Sequence, residues 1–225
     1  MAELHGVGNV VRNSVVATLR ETGEVVGAVT DTVSRSLVTV LRGTGTVGGA
    51  LEGAMADVTV GVVHGARDAG ADPGAVAKGT LVGVLRGTRA FAGTALEAVS
   101  ASVENLVRAT AEVGGDVGVA ARSATQGALL GAAQVGLNAL DAVATAAGAA
   151  VTGAAKAQRD IAGAAQSAVE GAIWAAKDLG VDADDVAAAA ARGALAATRR
   201  LGGPARNEVR RALTGVIAGV SMTQA

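Results

Sequence analysis

The chain has no cysteine and no tyrosine, one phenylalanine, one tryptophan and only two prolines in 225 residues. Without cysteine there are no disulfides and no thiolate metal sites, and the redox compartment stays undecided. Without aromatics the usual large contributors of buried area are missing, so any core must be thin and close-packed. An excess of one charge is lacking too. The formal net charge is −1, which gives no global basic field, and no nucleic-acid partner is expected. The opening residues Met1 to His5 carry neither the basic segment nor the apolar run of a secretory signal. Long hydrophobic runs are absent as well. The longest charge-free stretch, residues 123–140, is 18 residues long and contains Gln126, Gln134 and Asn138. A membrane span needs roughly 20 predominantly apolar residues.

What the chain has in abundance is small residues in a fixed rhythm. Glycine numbers 33, and the 50% hydrophobic fraction is mostly alanine and valine. The five-residue shape Gly171-Ala172-Ile173-Trp174-Ala175 returns every 22 residues, in units starting near 17, 39, 61, 83, 105, 127, 149, 171, 193 and 215. The third position of the shape is always aliphatic, running from Leu19 and Leu41 through Leu129 to Ile173, Leu195 and Ile217. Within a unit the apolar positions advance by about 3.67 residues, the eleven-residue period of a helix whose apolar stripe keeps one face. Residues 1–225 therefore read as a single all-α array of about ten in-phase 22-residue units, each two hendecads long.

Helix-stop chemistry falls at the same place in each unit. The strongest breaks are at 70–73, 114–116, 180–182 and 202–204, where glycine precedes aspartate or proline, the residues of a C-cap followed by an N-cap or first turn. Weaker punctuation stands at 48–50, 92–94, 136–138 and 158–160. If every break is a turn, the units are antiparallel helical hairpins. If the weak ones are read through, residues 73–113 and 117–179 become two long helices in an elongated bundle. The expectation is hairpins with some stops read through, and no strand anywhere. The run 212–222 is expected to be a terminal helix, with Leu213, Val216, Ile217 and Val220 available for insertion into an interface behind the arginines that precede it.

Two columns of the repeat carry surface chemistry. Positions 0 and 4 make GxxxG pairs at Gly61/Gly65, Gly83/Gly87, Gly127/Gly131 and Gly215/Gly219. Glycine inside a helix costs about 0.8–1 kcal/mol against alanine, so its recurrence points first to close approach of helix backbones, with a soft helix ordered only on a surface and a membrane-embedded seam as the alternatives. Position 3 carries Arg20, Arg42, His64, Arg86 and Arg108, then Leu130, Thr152, Trp174, Ala196 and Ala218. If the units stack directly, the arginines form one basic stripe on the N-terminal half. Trp174 is either core filler or an interface anchor.

No catalytic, cofactor or metal constellation emerges, and no cofactor is expected. His5 and His64 have no nucleophile at a diagnostic spacing. Asp182, Asp184 and Asp185 open a helix and lack the ligand pattern of a calcium loop. The glycine-rich turns do not follow a strand, so they are not nucleotide fingerprints.

The segment 171–193, a helix, a Gly-Val-Asp break and an acid-opened alanine-rich helix, resembles bacterial Ala/Gly-rich helical-repeat proteins without an assigned activity. In period alone the array is similar to the 11/22-residue amphipathic proteins: phasins on polyester granules, perilipins and apolipoproteins. The first resemblance implies no activity and no site; the second implies a coat on a lipid or granule surface, while the small-residue helices themselves suit packing on each other and on further copies. The expected function is therefore that of a non-enzymatic structural or assembly protein, homo-oligomeric, with no small-molecule substrate. The alternative is a coat or anchor on a hydrophobic surface, and an enzyme with an unrecognised site stands a distant third. The expected location is cytoplasmic, free or peripheral to a membrane or granule.

Overall fold

A computed structural model describes residues 4–22, 24–44, 49–89 and 94–222. Helices occupy α1 (Leu4–Thr22), α2 (Val25–Thr44), α3 (Gly49–Ala69), α4 (Pro73–Thr88), α5 (Ala95–Glu112), α6 (Val117–Val135), α7 (Ala139–Lys156), α8 (Ile161–Leu179), α9 (Ala183–Ala197) and α10 (Gly203–Ala212). A single 3₁₀ turn (Thr198–Arg200) joins the last two. The chain closes on an antiparallel hairpin of β1 (Gly215–Ile217) and β2 (Val220–Met222).

One 22-residue unit is thus one helix and one turn, and the fold is an all-α repeat array. No stop is read through among the described residues. The stops at 136–138 and 158–160 are turns like the strong ones, which excludes a continuous helix over 117–179. The stop at 92–94 falls largely outside the described residues, as does Gly48 of the stop at 48–50. α4 ends at Thr88, α5 begins at Ala95, and α3 starts at Gly49. One turn had no sequence signal assigned to it, the break between Thr22 and Val25.

The turns share one construction. Gly70, Gly114, Gly136, Gln158, Gly180 and Gly202 all have positive φ, at 22-residue intervals apart from the undescribed Ala92. At Gly70 the next amide, Ala71 N, donates to Ala66 O at 2.9 Å, and Gly70 N donates to Arg67 O at 3.1 Å. This crossed pair of bonds is the Schellman ending, which satisfies carbonyls the helix leaves open. The same pair recurs at 114, 158 and 180. Two residues on, Asp72, Asp116, Asn138, Asp160 and Asp182 each accept amides of the next helix through the side chain. Stop and start are therefore locked in four residues, and that local chemistry overrides the continuous apolar phase.

Consecutive helices run antiparallel, and each packs most extensively on the helix two positions away. Odd helices α1 to α9 form one layer and even helices α2 to α8 the other. The core lies between and within the layers. Its N-terminal part is valine and leucine (Val29, Val33, Leu37, Val58), whereas its C-terminal part is dominated by alanine. The hairpin and α10 close the C-terminal end. Leu213, Ile217 and Val220 turn inward there. The expected terminal helix over 212–222 is therefore wrong. Gly215, Ala218 and Gly219 all take positive φ, a backbone that a helix cannot use and a tight hairpin requires. The pair Gly215/Gly219 consequently frames a turn and is not a helical seam.

Candidate functional surfaces

The remaining GxxxG glycines lie in the seams between parallel neighbours of one layer. A methyl group at Gly83 would sit 2.7 Å from Thr30 O and 2.8 Å from Val33 Cβ, one at Gly79 2.8 Å from Val26 O, and one at Gly153 2.8 Å from Glu104 O. At Gly171 and Gly193 the obstacle is the carbonyl of Arg122 or Ala144, closer still. The hydrogen that glycine carries there points at the neighbour's carbonyl oxygen, a Cα–H···O contact worth about 0.5–1 kcal/mol. The arrangement has a direction. In most of these contacts the later helix brings glycine and the earlier one brings its carbonyls and a Val or Leu, such as Val15, Val33, Leu37, Leu81 or Val107; Gly8 against Asp57 O at 3.2 Å and Gly148 against Gly193 O at 2.9 Å run the other way.

One seam lacks these glycines. In α5 the two glycine positions are occupied by Asn105 and Ala109, and α3 against α5 is the least extensive of these same-layer contacts from α1 to α9.

Charged side chains tie the same neighbours together along the outside. Arg12 pairs with Asp68 at 2.5 Å, Arg122 with Glu170 at 2.8 Å and Lys156 with Glu104 at 2.5 Å. Arg86 approaches Asp31 at 3.9 Å on one side and donates to Gln134 Oε1 at 3.0 Å on the other. Each link joins a helix to the one two positions away, the same connection as the glycine seam. Asp68 thus pairs across helices and not with His64 four residues before it, while Arg108 and Glu112 do face each other at 3.7 Å.

The position-3 column does not form one stripe. Alternate units belong to opposite layers, so Arg42 and Arg86 face one side while His64 and Arg108 face the other. The side chains of Arg20 and His5 lie outside what is described. Trp174 is neither core filler nor free: it is 42% exposed, and the guanidinium of Arg122 lies 5.1 Å from its ring centroid. The Asp182 cluster opens α9, with Asp182 accepting the amides of Asp184 and Asp185.

The two ends of the array differ. At the N-terminal end α1 and α2 leave a groove of 630 Å³, with Val7, Val10 and Val40 among its lining and Val10 64% exposed. At the C-terminal end Arg192, Arg199, Arg200, Arg206, Arg210 and Arg211 are exposed, and Glu208 is the only acid after Asp185. Of the four apolar residues expected to insert into an interface there, only Val216 is outward, at 71% exposure. Leu213, Ile217 and Val220 cap the core and are not available for the insertion expected of them.

These features fix the class of protein. This is a helical-repeat fold. Among solved structures, the chain is similar to the crystal structure of the de novo designed helical repeat protein DHR7, with 19% identity and a TM-score of 0.43, covering 78% of this chain and 96% of that one. No protein-family profile and no curated protein matches it. Among the described residues no helix is long and apolar enough to cross a membrane.

Proposed function

We propose that this chain is a non-enzymatic scaffold that pairs with a second copy of itself through the open face of α1 and α2. The observation that carries the proposal is the difference between the two ends. The N-terminal face keeps a groove in which Val7, Val10, Val11 and Val40 stand among hydroxyl side chains and Arg35, with Val10 64% exposed, while the C-terminal end spends its apolar side chains inward and turns arginines outward. Two C-terminal ends repel each other, so pairing falls to the N-terminal faces.

The contact is isologous and closes on itself. Three of the positions that hold glycine in internal seams hold Ala17, Arg35 and Thr39 on this face, with Gly43 keeping the glycine, so a further helix meets side chains along most of the seam and the array does not simply continue. Helices of 19 and 20 residues are about 30 Å long. Two of them side by side offer a face of the order of the ~800 Å² per partner that a stable interface uses.

Sedimentation velocity across a concentration series tests this. The wild type is expected to dimerise and Val10→Asp to be monomeric with unchanged helicity, while Val216→Asp at the other end stays dimeric. A wild type that is monomeric at tens of micromolar, or a Val10→Asp dimer, removes the proposal.

A second reading, a peripheral coat or anchor on a lipid or polyester-granule surface, is favoured by the arginine-bearing cap alone. Each basic residue near an anionic membrane contributes about 1 kcal/mol. Flotation with phosphatidylserine vesicles that fails at low salt would discard the lipid form of it.

A further inference from the structure

We infer that the loose seam between α3 and α5 holds a binding site for a small apolar molecule bearing one carboxylate. A pocket of 320 Å³ lies where the turn after α3 meets the turn after α5. Its walls include Val63, Val76, Leu106 and Val113, and Arg67 is the cation among its lining residues. The volume lies at the small end of the range for organic ligands.

Two substitutions within the repeat accompany this pocket, one along the same seam and one in its lining. The first is the absence of glycine in α5: Asn105 and Ala109 stand where other helices bring a glycine against their neighbour, and α3 and α5 meet less closely than the other pairs. The second is in the turn. One repeat pair later, at the position equivalent to Gly115, Arg159 reaches back over the preceding turn and donates to Ala111 O at 3.2 Å. Gly115 has no side chain to do this, so the space that Arg159 crosses in the next repeat is left unfilled here.

The lining chemistry selects the ligand. Apart from Arg67 and Thr110 it is aliphatic or glycine. Arg67 is exposed and takes no part in the ion pairs of the described residues, unlike Arg12, Arg86 and Arg122. A guanidinium without an acid beside an apolar pocket suits an aliphatic or monocyclic carboxylic acid, its body among the valines and its head on the arginine.

Octanoate is the probe, followed by titration calorimetry, with octan-1-ol as the neutral comparison. Saturable one-to-one binding of octanoate is expected. Arg67→Gln, a surface change that leaves the core intact, should weaken octanoate about tenfold or more and leave octan-1-ol unchanged. The double variant Thr110→Ala/Gly115→Arg transplants the plug. It copies Ala154 and Arg159 of the next repeat, and the alanine removes the Thr110 Cγ2 that a side chain at Gly115 would meet at 2.7 Å. This variant should abolish binding of both probes while keeping its circular dichroism. No saturable octanoate binding to the wild type, or binding that survives the transplanted plug, overturns the inference. Equal weakening of octanoate and octan-1-ol by Arg67→Gln overturns the assignment of the carboxylate.

Discussion

Replacing Gly83 by alanine should destabilise the protein even though alanine is the better helix former. Helix propensity alone favours the substitution by about 0.8–1 kcal/mol. Against that, the new methyl would lie 2.7 Å from the Thr30 carbonyl oxygen and 2.8 Å from Val33 Cβ. Neither obstacle is the free end of a flexible side chain, so α4 must back away from α2. Overpacking of this kind costs about 1–3 kcal/mol, and a radial gap of ~0.5–1 Å along the seam forfeits a quarter to a half of each dispersion contact. The upper part of that range applies because backbone is involved, which leaves a net loss of about 1–2 kcal/mol. In a chain of this size that lowers the melting temperature by roughly 2–8 °C. Gly27→Ala is the control. Its methyl would meet only the carboxylate end of Glu24, at 3.2 Å, so the propensity gain should survive and the melting temperature should rise by a few degrees. Thermal melts followed at 222 nm compare the two directly. If Gly83→Ala stabilises as much as Gly27→Ala, the close-packing account of the glycine columns is refuted. Gly79→Ala added to Gly83→Ala should cost less than it does alone, because the seam has already opened.

Other expectations follow from local geometry. Ala218 has φ 49° and precedes Gly219 at φ 89°, the backbone of a two-residue hairpin turn that favours Asn-Gly; Ala218→Asn should therefore stabilise by about 1 kcal/mol, read as a higher denaturation midpoint. Asp182→Ala removes the acceptor of two amides at the start of α9 and should cost about 1 kcal/mol, whereas Asp182→Asn should cost little by the same measurement. Arg122→Gln takes the cation from over Trp174 and the partner from Glu170. Trp174 is the only tryptophan, so its emission spectrum should change while stability falls by ~1 kcal/mol or less at this half-exposed site; an unchanged spectrum would exclude the ring contact in solution.

The repeat made the fold legible because the same residue types meet the same needs ten times over. The 22-residue spacing, the small residues at positions 0 and 4 and the Gly-to-Asp stops all correspond to helices, seams and turns. The stop at Gln158 was harder to read, since a glutamine in a left-handed conformation carries no glycine to signal it, and Asp160 was the only capping residue in view. The C-terminal hairpin was masked by periodicity: Val216, Ile217 and Val220 continue the apolar register, yet Gly215, Ala218 and Gly219 give the backbone a tight reversal that the tally of apolar positions cannot register. The split of the arginine column between opposite faces was invisible for a different reason. A repeat period gives the order of units but not the layer each one joins. The pocket beside Arg67 is likewise written in the sequence only as two exceptions, Asn105 and Gly115, which become meaningful once their neighbours are known.

The directional seam also bears on how the chain comes into being. Each glycine-bearing helix docks on carbonyls and aliphatic side chains about 50 residues behind it, as Gly83 does on Thr30 and Gly171 on Arg122. During synthesis the receiving ridge is therefore already in place for most of these contacts when its partner leaves the ribosome, and only Gly8 and Gly148 meet carbonyls, those of Asp57 and Gly193, that are still to be made. α1 and α2, whose own cores are valine and leucine, serve as the seed, and the hairpin arrives last to seal the final ridge. Nascent chains arrested at successive lengths should then gain protease resistance in steps of one helix, from the N-terminus onward; resistance appearing only after residue 222 has emerged would show that the array folds as a whole.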